Sequence, residues 1–160
     1  MLARPAHRLP AQPEINQILN GLLGRTVTLT QVEAVDVARY TAVYVNSSDR
    51  PVNVVAVDLP LAAGMSAALA LIPPTSAEEW IASGALDQDN VDNVFEVLNV
   101  LASAHNNGND HERHVRISTL VAPGDELPDG VAAGLAAPAL QRTYAVDLDG
   151  YPGGSLLIAA

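Results

Sequence analysis

The chain has 160 residues, no cysteine and a net charge of −10, and its eight cationic side chains are all arginine. Hydrophobic residues make up 49% and charged residues 16%, which describes a globular chain long enough to bury a core. Lack of cysteine excludes disulfides, thiolate metal sites and a cysteine nucleophile. The acidity leaves no basic stripe to displace counterions from phosphates, so a nucleic-acid partner is excluded and an anionic membrane surface is disfavoured.

In chain order, residues 1–12 read as a loose N-terminal leader without a secretory apolar run, and residues 13–160 as a single domain. Pro13 suits a first helical turn, Ile15, Ile18, Leu19, Leu22 and Leu23 recur at helical spacing, and Gly24 is a stop. Residues 26–35 and 39–45 alternate as two strands, residues 46–51 form a turn cluster, and residues 52–59 form a third strand ended by Pro60. Residues 61–71 read as a helix of small side chains. The apolar stretch 59–72 is too short to cross a bilayer, so no membrane insertion is expected. Thr75 or Ser76, with Glu78 or Glu79, matches a capping box for a short helix that carries Trp80 and Ile81 and stops at Gly84.

Residues 89–106 form the clearest element, an amphipathic helix. Val91, Val94, Leu98, Leu101 and Ala102 share one side, while Asp92, Glu96, Asn99 and Ser103 fall in a narrow band opposite. An ordinary solvated face accounts for such a band, although Asn99 in mid-helix competes for backbone hydrogen bonds. Residues 106–110 read as a loop, 115–121 as a strand and 122–138 as a Gly/Pro/Ala-rich stretch of ambiguous pattern. Residues 144–148 and 155–159 are the last strands, joined through a turn at 149–154. This order of elements predicts an α+β fold, a mostly antiparallel sheet with long helices packed on one face.

Asp110, His111, Glu112 and His114 make the other polar cluster, which His105 joins only if the loop folds back. Their spacing at a loop-to-strand junction matches no recognised ligand geometry, so an exposed loop and no metal site are expected. Gly150, Gly153 and Gly154 have no following helix and read as a turn rather than a phosphate cradle. Trp80 reads as a packing anchor.

The string Asp92-x-x-x-Glu96-x-x-Asn99 resembles the D/S-x-x-x-E-x-x-N signature of the CheC/CheX/FliY chemotaxis phosphatases. The similarity covers residues 14–160, including the early helix, the three-strand block, the segment LDQDNVDNVFEVLNVLA and the strand that follows. The resemblance implies a CheC-like or CheX-like fold in a cytoplasmic protein. It further implies stimulated hydrolysis of the aspartyl phosphate on a CheY-type response regulator. By the same resemblance Glu96 would pair with the regulator's invariant lysine, Asn99 would hold the attacking water, and Asp92 would support the interface. The phosphorylated Asp and its Mg²⁺ would belong to the regulator, so the chain needs no cofactor of its own.

Ser103 stands on the partner-binding side, where the family carries Gly. Gln17-x-x-Asn20-x-x-x-Gly24 is a partial copy of the motif with Pro13 where Asp or Ser would stand, either a decayed repeat or plain core helix. One full motif is nearer the CheX type, whose members form homodimers, so a homodimer is one implied assembly. The alternative function is a non-catalytic CheX-like domain that binds a signalling partner or serves as a dimerisation module. A third reading is an unrelated α+β domain whose motif arose by chance.

Overall fold

The computed structural model describes residues 9–34, 36–106, 114–138 and 140–160. The helical period around Ile15, Leu19 and Leu23 builds α1 (Gln12–Leu23), with Pro13 in its first turn and left-handed Gly24 (φ 63°) after its end. Leu9 is already buried and Arg142 Nη1 donates to Pro10 O at 3.3 Å, so packing begins ahead of the boundary expected at residue 12.

β1 (Val27–Val32), β2 (Arg39–Val45) and β3 (Pro51–Asp58) follow. β1 stops at Val32, short of the expected residue 35. It is an edge strand, and its chain must leave the sheet to reach β2 beyond three other strands. α2 (Leu59–Leu69) is apolar on nearly every side, and eight of its eleven residues are buried, as befits a helix inside the core. In α3 (Pro74–Ser83) the capping-box expectation fails. Pro74 starts the helix after Pro73, which leaves Thr75 and Ser76 inside it with no side-chain cap bond. α4 (Gln88–Asn106), β4 (Arg116–Val121) and the short α5 (Val131–Ala136) come next, the last resolving part of the ambiguous stretch.

β5 (Gln141–Leu148) and β6 (Tyr151–Ala159) are longer than expected, and their turn shrinks to Asp149-Gly150 with Gly150 at φ 80°. Gly153 and Gly154 belong to the strand because neighbours crowd it. A Cβ at Gly153 would lie 2.1 Å from Val146 O, and one at Gly154 would lie 2.2 Å from Asp58 Oδ1.

The six strands form one antiparallel sheet in the order β1-β5-β6-β3-β2-β4, which is the expected α+β class. α1, α2 and α4 cover one face over Ile15, Leu19, Tyr44, Val55, Leu98, Leu101 and Ile158. α3 packs outside α2 through Ala63, Ala67 and Ala77. The other face is not bare: Val131 and Leu135 of α5 cover Val43, Val54, Ala56 and Leu157. Among the described residues no helix is long and apolar enough to cross a membrane.

Asp58 fastens α2 to β6. Its Oδ1 accepts from Leu61 N–H at 3.1 Å and its Oδ2 from Ser155 N–H at 3.0 Å. Burial pushes its carboxyl above the usual carboxylate range, against the opposing pull of those two donors and of Arg39. The folded form therefore keeps its proton to higher pH than the unfolded form, so this group's contribution to stability falls as pH rises through the raised value. Asp58→Ala is expected to cost about 1–2 kcal/mol through the lost helix cap, read as a lower urea midpoint; an unchanged midpoint would show that the cap carries no stability.

Thr143 is 2% exposed and its Oγ1 has no hydrogen-bond partner among the described residues. A buried hydroxyl without a partner costs free energy, and valine keeps its shape. Thr143→Val is therefore expected to raise stability by about 1 kcal/mol in thermal denaturation. A lower melting temperature would mean that the hydroxyl is satisfied.

Candidate functional site

α4 carries the polar stripe, and its own sequence sets where it begins. Asp87 Oδ1 accepts from Asn90 N–H at 3.0 Å, which caps the first turn. From there the apolar period buries Val94, Val97, Leu98, Leu101, Ala104 and His105. The opposite band, Asp92, Glu96, Asn99 and Ser103, is exposed at every position. The four side chains thus lie in one row along the solvent side of a helix whose other side is locked down. Gln88 Nε2 donates to Asp92 Oδ1 at 2.8 Å, a bond one turn apart that holds the first carboxylate near the helix start. Ser103 Oγ donates back to Val100 O at 2.8 Å, so its hydroxyl is occupied by its own helix.

Two buried anchors fix α4 under this row. Tyr44 of β2 donates its hydroxyl to Leu98 O at 2.5 Å, at the residue preceding Asn99. Burial pushes the Tyr44 hydroxyl far above its ordinary pKa, so it remains a donor. The Tyr44 ring stacks on His105, with centroids 4.9 Å apart and planes 25° apart. At the other end, Asn93 Nδ2 donates to Ser66 Oγ at 3.1 Å, and Ser66 Oγ donates to Asn90 Oδ1 at 2.8 Å, clasping α4 to α2.

Ser66, Asn90 and Asn93 were not among the residues singled out from sequence, and His105 was weighed there only with the loop cluster. Asn90 and Asn93, three apart at the margin of the apolar face, were the available signal. Their partner Ser66 lies in another helix and gives no local sign.

His105 is wholly buried and its ring stacks on Tyr44. Asp110, His111 and Glu112 lie outside the described residues. His114 is exposed and lines an open groove between α1 and α4 with Glu14, Gln17, Ile18, Ser103 and Asn106. Among the described residues, no three His, Asp or Glu side chains gather to hold a metal ion. The partial copy on α1 is also committed elsewhere. Asn20 Oδ1 accepts from Val27 N–H at 2.7 Å, which ties the helix to β1, while Gln17 is exposed.

An exposed carboxylate and an exposed carboxamide one turn apart, on a rigidly seated helix, can pair with a cation and orient a water on an approaching partner. In that role neither side chain acts as a nucleophile.

No family model and no curated protein sequence matches the chain. Solved structures do. The FliM middle domain from H. pylori matches with a TM-score of 0.66 at 7% identity, over 92% of this chain and 83% of that one. A FliG–FliM complex from H. pylori matches with a TM-score of 0.60 at 9% identity, over 92% and 84%. Thermotoga maritima FliY matches with a TM-score of 0.58 at 14% identity, over 91% and 81%. At such identities the likeness is one of fold, and this chain has the CheC/FliM-like fold shared by the FliM middle domain and FliY.

Proposed function

We propose that this chain is a CheX-like phosphatase that stimulates loss of the aspartyl phosphate from a CheY-type response regulator in the cytoplasm. The observation that carries it is the exposed row of Asp92, Glu96 and Asn99 on α4, a D-x-x-x-E-x-x-N string in a CheC/FliM-like fold. The reaction needs no protein nucleophile. Water attacks phosphorus, the bond from phosphorus to the aspartyl oxygen breaks, and inorganic phosphate and a free carboxylate result. An acyl phosphate is already activated, so what remains is to orient the water and balance charge. Asn99 Oδ1 accepts a hydrogen bond from the attacking water while its amide N–H₂ donates toward the phosphoryl oxygens, the water's proton leaving with the inorganic phosphate or to solvent. Glu96 pairs with a regulator lysine and sets the docking register. Asp92, tethered by Gln88, borders that interface. Mg²⁺ and the phosphorylated Asp are the regulator's.

The test is the lifetime of phosphate on a CheY-type regulator, with and without the chain. Faster loss supports the reading, and an unchanged lifetime at saturating concentration sinks it.

A second reading is a non-catalytic binding module or dimerisation domain. It is favoured by the higher TM-score to FliM than to FliY, one of those FliM structures being a complex with FliG, and by Ser103 in the place of the family's Gly. Under it the regulator or another signalling protein binds the α4 face and phosphate lifetime does not change.

A further inference from the structure

α5 has six residues and covers only part of the sheet face turned away from α4. The connection from β1 to β2 passes the same face, and between it and Leu135 of α5 lies a cavity of about 450 Å³. That volume falls within the range of small-molecule sites. The floor is one row of the sheet, where Thr41, Ala56 and Leu157 stand side by side in the register of β2, β3 and β6. All three are buried, so the cavity reaches down to the strands and is more than surface relief. Thr41, 7% exposed, sets a hydroxyl in this otherwise apolar floor.

Two opposite charges line the same cavity, Asp36 from the connection and Arg39 at the start of β2. Arg39 Nη1 donates to Val37 O at 3.4 Å, and a planar fork of five N–H donors can keep that bond and take a carboxylate as well. Its register partner Asp58 is engaged by Leu61 N–H and Ser155 N–H. Gln141, exposed at the start of β5, adds a carboxamide that both donates and accepts.

A ligand matched to this lining carries an anion for Arg39, a cation for Asp36 and an aliphatic body for Ala56, Leu135 and Leu157. An α-amino acid with an aliphatic side chain holds all three on one small frame. We propose that the cavity binds a free aliphatic amino acid as its zwitterion, with the carboxylate on Arg39, the ammonium on Asp36 and the side chain over the floor. Thr41 and Gln141 hydrogen-bond the polar end. The site lies on the face of the sheet opposite α4 and does not rest on the function proposed above.

The test titrates the whole chain with L-leucine and follows its amide proton–nitrogen NMR spectrum. Binding is expected with a Kd of about 1 mM, the scale for so small a ligand. The amides of Thr41, Leu135, Gln141 and Leu157 shift, and those of Glu96 and Asn99 do not. Two truncated probes divide the recognition. 4-Methylpentanoate lacks the ammonium and 3-methylbutylamine lacks the carboxylate, and each is expected to bind about tenfold more weakly. Asp36→Asn, an exposed change that leaves the melting temperature as it is, weakens L-leucine about tenfold and leaves 4-methylpentanoate unchanged. No shift at ten times the expected Kd, shifts confined to α4, or equal binding of 4-methylpentanoate and L-leucine would each overturn the proposal.

Discussion

Asn99→Ala is expected to reduce the stimulated loss of regulator phosphate by about 10²-fold, the scale of effect of losing the group that orients a reacting molecule. The substitution is isolated from the fold, because Asn99 is exposed on α4 while the buried face and its anchors are untouched. Alanine is the better helix former by about 0.5 kcal/mol, so the variant should melt no earlier than the wild type. Loss of activity with undiminished stability is the signature sought. Glu96→Ala, equally exposed, is expected to raise the regulator concentration needed for half-maximal rate more than it lowers the maximal rate, since its proposed part is docking. The measurement is a time course of phosphate on the regulator at several chain concentrations. Full stimulation by the Glu96→Ala, Asn99→Ala double variant would overturn both roles and place the activity elsewhere on the chain.

Gly64→Ala is expected to be among the most damaging single changes to stability, at about 3 kcal/mol. α2 crosses the β5–β6 hairpin so closely that a Cβ at position 64 would lie 2.0 Å from Pro152 O and 3.1 Å from Leu148 Cδ1. The nearer atom is backbone, so no side chain can swing aside; the helix or the hairpin must move. Neither is free to do so. Asp58 pins the start of α2 to Ser155, and Ser66 ties α2 to Asn90 and Asn93 of α4. For a domain of this length the change corresponds to a melting temperature about 10 °C lower. Calorimetry or circular dichroism reads it directly. An unchanged melting temperature would show that the helix and hairpin separate at little cost. Displacement of α2 pulls on the clasp beneath the first turns of α4, so the proposed phosphatase activity should fall at temperatures where the variant is still folded.

The row on α4 was legible because helical periodicity is local. Asp92, Glu96, Asn99 and Ser103 could be placed on one side from spacing alone, and all four are exposed. α1 and its Gly24 stop were legible for the same reason. The helix starts were harder. Thr75 and Ser76 offered a capping box, but Pro74 with its preset φ starts α3 ahead of them. Strand ends were harder again. Gly153 and Gly154 have the composition of a turn and serve instead as the narrow part of β6, and only the positions of Val146 and Asp58 reveal why. His105 carries the same difficulty in the site itself, because a histidine near the end of a helix reads as polar until Tyr44 is found beneath it.

The α1 echo shows where sequence must yield to tertiary structure. Gln17 and Asn20 keep part of the motif's spacing, and only the fold shows that Asn20 accepts from Val27 N–H and ties α1 to β1. The sequence by itself determined an acidic, cysteine-free α+β chain with one amphipathic helix displaying Glu96 and Asn99, because composition and short-range periodicity decide those things. The tertiary structure alone decided the strand order, the clasp of Ser66 on Asn90 and Asn93, the burial of His105 and the bond of Asn20 to β1. Each of these depends on groups brought together from distant parts of the chain, and a carboxamide is the same residue in the sequence whether it faces solvent or closes the edge of a sheet.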